Sequence, residues 1–124
     1  MTKEDVEKVI IDAYIHGIHG NQDEKTIQRG FHGDFCMYVK DGETVQKVTI
    51  QEWLKRIEEM KKQNPELWKG RTTHTFRLID ITGNAACVKI EVYKNNIFFS
   101  TDYMLLYKFE DGWKIVSKIF QIPQ

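Results

Sequence analysis

The chain has 124 residues, of which 41% are hydrophobic and 12% aromatic, and Lys plus Arg equal Asp plus Glu at 18 each. This length and apolar content predict one globular domain over residues 1–124, with a core large enough to need no disulfide or metal. The zero net charge lacks the basic excess of nucleic-acid binders, so we expect no nucleic-acid partner. No apolar run reaches the roughly 18 residues of a membrane helix, so no membrane partner is expected.

The cysteines and the N-terminus indicate a compartment. Cys36 and Cys87 are the two thiols of the chain, and its first residues are charged rather than apolar. A chain without a secretory signal is expected to keep its cysteines reduced. We therefore expect a cytoplasmic protein with two free thiols rather than a redox pair.

Two helices are predicted at the start of the chain. Thr2 and Asp5 form a capping box, and apolar residues then recur at helical spacing as far as Gly20, which suits a C-terminal cap. Asp23 can cap a short second helix that runs through Arg29. The first helix carries one apolar stripe, so it should pack on a core.

A hairpin and a third helix follow. Residues 31–34 are predicted as a loop, 35–40 as a strand and 44–48 as its return, joined by a turn at Asp41-Gly42. Thr49 and Glu52 make a second capping box, and the helix they start should end at Asn64-Pro65. Residues 65–71 are predicted as a linker.

The last fifty residues predict an antiparallel meander with three tight turns. Gly83-Asn84, Asn95-Asn96 and Asp111-Gly112 separate runs rich in β-branched and aromatic residues, which is a strong hairpin signal. The predicted strands are residues 72–82, 85–94, 97–110 and 113–122. Together these elements predict an α+β fold, with three N-terminal helices packed on a curved, mostly antiparallel sheet of about six strands.

The turns also predict which side of the sheet each residue occupies, if every loop has two residues and no strand contains a bulge. The face expected to meet the helices is almost entirely apolar, apart from Arg77 and Lys118. It comprises Ile79, Ile81, Ala86, Val88, Ile90, Val92, Phe99, Thr101, Tyr103, Leu105, Tyr107, Val116, Lys118 and Phe120. The opposite face, which includes Asp102, Met104, Ile115 and Ile119, has too many large apolar groups for an open surface, and we expect a homodimer through it.

The order of elements and several segments resemble the nuclear transport factor 2-like superfamily, which has a cystatin-like fold, and within it the putative lumazine-binding branch near the SnoaL-like cyclases. The segments that carry the resemblance are YIHG (14–17), FHGDF (31–35), TIQEWL (49–54), ITGNAACVKIEV (81–92) and DYMLLYKFEDGWKIVSKIF (102–120). The resemblance implies a cone of helices and curved sheet around a pocket, and a dimer through the outer sheet face. Such proteins include isomerases, cyclases, dehydratases, transport factors and ligand-binding modules.

Six residues are the candidate lining of that pocket. Lys118 on an apolar face would be costly unless it met an anionic or carbonyl-bearing ligand, reached the rim, or paired with a carboxylate such as Asp34. Tyr14, at the border of the first helix's stripe, could donate to a ligand oxygen or be a core tyrosine. The full candidate set is Tyr14, His32, Trp53, Tyr103, Lys118 and Phe120.

A catalytic base is less clearly indicated. His32 and Asp34, two residues apart, could form a proton-transferring pair at the cavity mouth, or His32 could only fix its loop. In the resembling ketosteroid isomerases, a tyrosine from the first helix and a protonated aspartic acid form an oxyanion hole. This chain departs from that pattern, because the predicted register places Asp102 on the outer face.

No metal site or cofactor is expected. His16 and His19 lie on one helical face, but no third ligand is evident, so solvated or capping roles are predicted. The sequence shows no phosphate-binding glycine motif. The favoured hypothesis is a module without catalysis that binds a small aromatic or heterocyclic ligand of unknown identity. The alternatives are an isomerase, cyclase or dehydratase using His32 and Asp34, and a dimeric interaction module whose cone is filled by side chains.

Overall fold

The structure, a computed structural model, describes residues 2–123 and has the predicted α+β architecture. The helices are α1 (Thr2–Ile10), a π-helical segment that continues it (Ile11–Asn21), α2 (Glu24–Gly30), α3 (Ile50–Gln63) and α4 (Pro65–Lys69). The strands are β1 (Phe31–Asp41), β2 (Thr44–Thr49), β3 (Thr72–Thr82), β4 (Ala85–Lys94), β5 (Ile97–Phe109) and β6 (Gly112–Gln121). Within residues 2–123, no helix is both long and apolar enough to cross a bilayer.

The first helical stretch extends to Asn21, and its second half has the wider π winding. The stretch is kinked at Gly20, which leaves helical geometry (φ −109°, ψ −105°), and it ends at Gln22, which adopts a left-handed conformation (φ 54°). The Gln22 N–H donates to the Gly17 carbonyl over 2.8 Å, which satisfies one of the last carbonyls of the helix. A π segment shifts the side chains that follow it, and such segments are frequent at functional sites.

The predicted caps of α2 and α3 are confirmed. The Asp23 side chain accepts from the Thr26 N–H, and Thr49 and Glu52 form a reciprocal capping box. The short helix α4 occupies most of the segment that the sequence predicts as a linker, so that prediction is wrong. The local signal for this helix is Pro65, which occupies its first turn, where a missing N–H costs nothing.

The sheet has six strands in the order β2-β1-β6-β5-β4-β3, and β1 pairs with β6 in parallel. The turns at Gly83-Asn84 and Asn95-Asn96 are confirmed. The other two turns lie one residue away from their predicted places, at residues 42–43 and 110–111. β1 begins at Phe31 rather than Phe35, because Phe31 already pairs with Ile115 of β6.

Strand pairing among the described residues has four irregularities; one lies in β1 between Phe31 and Cys36, and the other three decide which side chains of β3, β5 and β6 face the helices. Where β4 pairs with β5, Val92 opposes Ser100 while Tyr93 opposes Phe98, so Phe99 is an extra residue in β5. An extra residue reverses the faces of everything beyond it. The predicted faces of β5 are therefore wrong from Ser100 onward, whereas Phe99 packs on the inner side as predicted. The inner face, which meets the helices, carries Ser100, Asp102, Met104 and Leu106, and the outer face carries Tyr103, Leu105 and Tyr107.

The other two bulges lie in β6 and β3. Leu106 opposes Ile115 but Leu105 opposes Ser117, so an extra residue in β6 lets both Ile115 and Lys118 face inward. A bulge at Arg77 turns that side chain outward, where its Nε lies 2.8 Å from a carboxylate oxygen of Glu91. Arg77 therefore does not face inward as predicted, whereas Lys118 does.

The core lies between the inner face and the helices. Helical residues such as Val6, Ile10 and Ile57 are fully buried, as are strand residues such as Val88 and Ile90. Between the π segment, α3 and α4, the space above the sheet stays open, and the candidate site lies there.

Candidate functional site

A cavity of about 500 Å³ opens between the helices and the inner face of the sheet. Its lining is mostly apolar and aromatic: Tyr14, Ile18, His19, Met37, Val39, Trp53, Arg56, Met60, Trp68, Phe98, Phe99, Ser100, Lys118, Phe120, Ile122 and Pro123. Ligand cavities commonly combine such a lining with a few polar groups. A depression of about 750 Å³ at residues 21–25 is formed by surface polar side chains, so it lacks the aromatic walls that a ligand site needs.

Aromatic side chains from several elements build the cavity walls. Tyr14 of the π segment lies 5.9 Å from the ring of Trp53 on α3. The ring of Trp68 on α4 stacks on His19 at 5.9 Å with an interplanar angle of 13°. These rings present flat apolar surfaces, so the cavity suits a planar molecule.

A buried polar chain of Tyr14, Asp102 and Lys118 lies at the base of the cavity. The Tyr14 hydroxyl donates to Oδ2 of Asp102, and Lys118 Nζ lies 3.7 Å from Oδ1 of the same carboxylate. The residues are 1%, 0% and 4% exposed, respectively. Oδ1 accepts no hydrogen bond from any described residue. The ion pair with Lys118 is therefore the contact that offsets the burial of this oxygen.

The ammonium group of Lys118 lies among aromatic rings. Its Nζ is 4.2 Å from the centre of the Phe120 ring and 4.7 Å from that of Trp53, distances at which a cation is attracted to the ring face. Burial lowers the pKa of Lys118, while the charge of Asp102 opposes that shift. Lys118 is thus a positive or nucleophilic group held inside an apolar cavity.

The same environment acts on Tyr14. Burial, together with the negative charge of Asp102 and the hydrogen bond to it, raises the pKa of Tyr14 well above its usual value. Tyr14 therefore stays protonated at neutral pH. Its one proton is already donated to Asp102.

Two further buried polar side chains line the cavity with hydrogen-bonding capacity to spare. Both ring nitrogens of His19 lack a hydrogen-bond partner among residues 2–123. The hydroxyl of Ser100 forms no close hydrogen bond there either, although it lies near enough to Tyr14 to lower the pKa of that residue. Burial, and secondly the charges of Lys94 and Lys118, hold the pKa of His19 well below its usual value, so the ring is neutral. Buried polar groups are normally satisfied, which makes this pair a donor and acceptor set for a ligand.

The structure brings four of the six predicted lining residues together. Tyr14, Trp53, Lys118 and Phe120 all line the cavity. Tyr103 does not: the β5 bulge turns it to the outer face, where it is 41% exposed and lies near Lys89.

The predicted base pair lies outside the cavity. His32 is absent from the lining; its Nδ1 accepts from the Asp34 N–H over 3.0 Å, and its ring stacks on Phe109 at 4.8 Å. Nδ1 is 3.9 Å from the Asp34 carboxylate, whose side chain is 97% exposed. The expectation that His32 lies at the cavity mouth is corrected, because β1 begins earlier than predicted and carries this histidine along the sheet.

Sequence reasoning missed Asp102, Ser100 and His19. Asp102 is expected on the outer face and Ser100 is not among the candidates, because the β5 bulge leaves no clear mark in the sequence beyond two adjacent phenylalanines. His19 was expected to be solvated or capping, yet it is buried against Tyr14 and Trp68. No cluster of three His, Cys, Asp or Glu side chains that could hold a metal occurs between residues 2 and 123.

Several solved structures have the same fold. A NTF2-like protein of unknown function from Shewanella baltica is 23% identical, with a TM-score of 0.73, covering 98% of this chain and 94% of its own. A second, from Silicibacter pomeroyi, is 14% identical with a TM-score of 0.73, covering 99% of this chain and 100% of its own. A NTF2-like protein with a cystatin-like fold from Novosphingobium aromaticivorans has a TM-score of 0.67 at 14% identity, covering 98% of this chain and 81% of its own.

At these identities the solved structures show the fold alone, and no curated protein matches the chain. The family comparison reaches further, because one family model, described as "Putative lumazine-binding", matches residues 2–121. The resemblance seen in the sequence is thereby confirmed, both for the superfamily and for its lumazine-binding branch. The chain belongs to the "Putative lumazine-binding" family and has the NTF2-like, cystatin-like fold.

Proposed function

We propose that this protein binds a small, planar aromatic or heterocyclic molecule in the cavity, with the electronegative edge of the ligand directed at Lys118. The observation that carries the proposal is one buried, positively charged side chain on the wall of an otherwise aromatic cavity of about 500 Å³. A buried charge is costly unless it is paired, and the carboxylate that pairs with Lys118 among the described residues, that of Asp102, lies 3.7 Å away. The name of the family supports a heterocyclic ligand.

His19 and Ser100 add specificity to this proposal. Their free hydrogen-bonding atoms belong to residues that line the same cavity as Lys118. A neutral imidazole offers one donor and one acceptor, and a hydroxyl offers both. A ligand with ring nitrogens or carbonyl oxygens along one edge would pair with these groups, whereas a hydrocarbon would leave them unpaired. We therefore expect heterocycles to bind more tightly than hydrocarbons of equal size.

A thermal-shift screen tests the proposal with riboflavin, a pterin, a steroid and an aromatic polyketide as probes. A ligand at about 100 times its Kd stabilises the folded state by about 2.7 kcal/mol, which for a chain of this length raises Tm by roughly 10 °C. The shift should be lost in Lys118→Met and kept in Lys94→Met, the matched control, because Lys94 is also buried but does not line the cavity. An equal shift in both variants would refute the role of Lys118.

An enzyme is the second candidate function, and one observation favours it. Tyr14 has a strongly shifted pKa and a hydrogen-bonded carboxylate beside the cavity, a combination frequent in active sites. The proposed machinery is therefore Tyr14, Asp102 and Lys118 rather than His32 and Asp34. Turnover of a β,γ-unsaturated ketosteroid, abolished by Tyr14→Phe, would establish an isomerase. If the protein binds the steroid but does not convert it, the isomerase is refuted and only the binding function stands.

A homodimer through the outer face of the sheet is also proposed. Leu78, Leu105, Tyr107 and Ile119 are all exposed there, together with Tyr103. Contiguous apolar surface of this kind typically marks an interface. The remaining alternative, a module whose cone is filled by its own side chains, is disfavoured by the volume of the cavity.

A further inference from the structure

Two lysines are buried, and they differ in what their amino groups can reach. Lys94 is 1% exposed and Lys118 is 4% exposed. Lys118 lines the cavity, whereas Lys94 does not. We propose that the amino group of Lys118 is a nucleophile that forms an imine with an aldehyde or ketone bound in the cavity. This inference rests on the proposed function, because it assigns a carbonyl-bearing class of ligand to the same site.

The surroundings of Lys118 favour a reactive amine. An apolar site destabilises the ammonium form, which is how lysines that form Schiff bases are activated. The rings around Nζ belong to Phe120, Trp53 and Tyr14. Burial lowers the pKa of Lys118 despite the nearby carboxylate. The same rings would stabilise the cationic iminium product by cation–π attraction.

Asp102 is placed to carry the protons of the reaction. Its Oδ1 faces Nζ at 3.7 Å, while Tyr14 occupies Oδ2. Oδ1 of Asp102 takes a proton from the Lys118 ammonium. The lone pair freed on Nζ attacks the carbonyl carbon of the ligand, so that a C–N bond forms. A proton then moves from that nitrogen to the former carbonyl oxygen, which gives the carbinolamine. The proton on Oδ1 then passes to the carbinolamine hydroxyl, which leaves as water. The net change converts an ammonium and a carbonyl into an iminium and one water, with charge conserved.

Lys94 shows that burial alone does not make this site. Its Nζ contacts the rings of Trp68 at 4.2 Å and Phe99 at 5.2 Å, and it donates to the Thr72 hydroxyl over 3.3 Å. Burial lowers its pKa to about 8. Trp68 and Phe99, which it contacts, line the cavity, whereas Lys94 itself does not. A carbonyl compound in the cavity should therefore meet Lys118 and not Lys94.

Reductive trapping tests the inference. The intact protein is incubated with 2-naphthaldehyde and sodium cyanoborohydride, and the modified lysines are identified by peptide mass spectrometry over time. We expect Lys118 to be labelled at least about tenfold faster than any other lysine, as expected of an activated Schiff-base lysine. Lys118→Arg keeps the positive charge opposite Asp102 but cannot form the imine, so it should lose this fast phase. Lys94→Met should keep it.

Parallel binding measurements separate this inference from the proposed function. If 2-naphthylmethanol raises Tm in the wild type while 2-naphthaldehyde labels Lys118 no faster than surface lysines, the imine is overturned and the binding function stands. If neither compound binds and Lys118 is not labelled, the imine is overturned and the aromatic-ligand proposal loses its support as well. Circular dichroism of Lys118→Arg checks that a lost fast phase does not reflect unfolding.

Discussion

At the scale of single residues, the polar chain at the base of the cavity is the unusual feature of this protein. Asp102 and Lys118 are almost fully buried, yet their closest approach is 3.7 Å rather than a short ion pair. Removing two charges from water costs several kcal/mol each, and a loose pair recovers only part of that cost. A buried ion pair of this kind is weak evidence for stability, and we interpret it as part of the proposed binding site.

A double-mutant cycle measures how strongly this pair is coupled. Lys118→Met should destabilise the fold by about 3–5 kcal/mol, because it leaves the Asp102 carboxylate buried without a countercharge. Adding Asp102→Asn to that variant should restore about 1–3 kcal/mol of the loss. Urea denaturation of the wild type, both single variants and the double variant gives these values. Strictly additive effects would show that the two groups do not interact.

The lowered pKa of His19 leads us to expect that folding stability depends on pH. Its folded-state pKa is well below the usual 6.5, so below pH 6.5 the unfolded chain binds a proton that the folded chain does not. This contribution to stability is therefore present above pH 6.5 and lost as the pH falls.

The variant His19→Phe keeps an aromatic ring against Trp68 but cannot be protonated. In this variant the free energy of unfolding should decline less steeply between about pH 6.5 and 5. Some decline should remain, because the pKa of His74 is also lowered, mainly by burial. His74→Gln is the control and should have the smaller effect, since His74 is only partly buried. An unchanged slope in His19→Phe would mean that His19 does not stay neutral.

At the scale of secondary structure elements, the bulges separate what the sequence could predict from what it could not. Helix caps at Asp23 and Thr49 and the turn at Asn95-Asn96 depend on local chemistry, so they were predicted correctly. The side of the sheet that Asp102 occupies depends on one extra residue, Phe99. With or without that extra residue, β5 would place apolar side chains on the buried face, so hydrophobicity does not distinguish the two pairings. Because alternation alone does not locate a bulge, it cannot assign the faces of the residues beyond one.

The contact between α2 and the π segment is a second feature set by close packing. A Cβ added at Gly30 would lie 2.3 Å from the Cβ of Ala13, far inside van der Waals contact. Gly30→Ala should therefore cost about 1–3 kcal/mol, the usual range for overpacking a tight contact. Gly33→Ala is the matched control, since a Cβ there meets nothing within 4 Å. Thermal denaturation compares the two, and equal stability would contradict this packing.

At the scale of the whole molecule, the two faces of the sheet have different roles. The inner face and the helices enclose the cavity, while the outer face leaves several large apolar side chains in solvent. The sequence predicted this division and the α+β architecture, because both follow from element order and composition. It could not locate the polar chain, which depends on contacts between residues 88 positions apart.

The proposed homodimer through the outer face can be tested by mutation. Leu105→Lys should convert the proposed dimer to a monomer, because it places a charge in the middle of an apolar interface. Val45→Lys, at a residue that is also exposed but lies on β2 at the sheet edge, should leave the dimer intact. Light scattering coupled to size exclusion gives the masses. A wild type that is monomeric at high concentration would contradict the dimer.

The most direct test of the proposed function is whether a ligand occupies the cavity itself. Isothermal titration calorimetry would compare the best compound of the thermal screen on the wild type, Val39→Trp and Val45→Trp. Val39 lines the cavity and Val45 does not, so a large side chain blocks the site in the first variant only. We predict at least about tenfold weaker binding to Val39→Trp, equivalent to about 1.4 kcal/mol, and unchanged binding to Val45→Trp. Equal affinity for all three proteins would place the ligand elsewhere and contradict the proposed function.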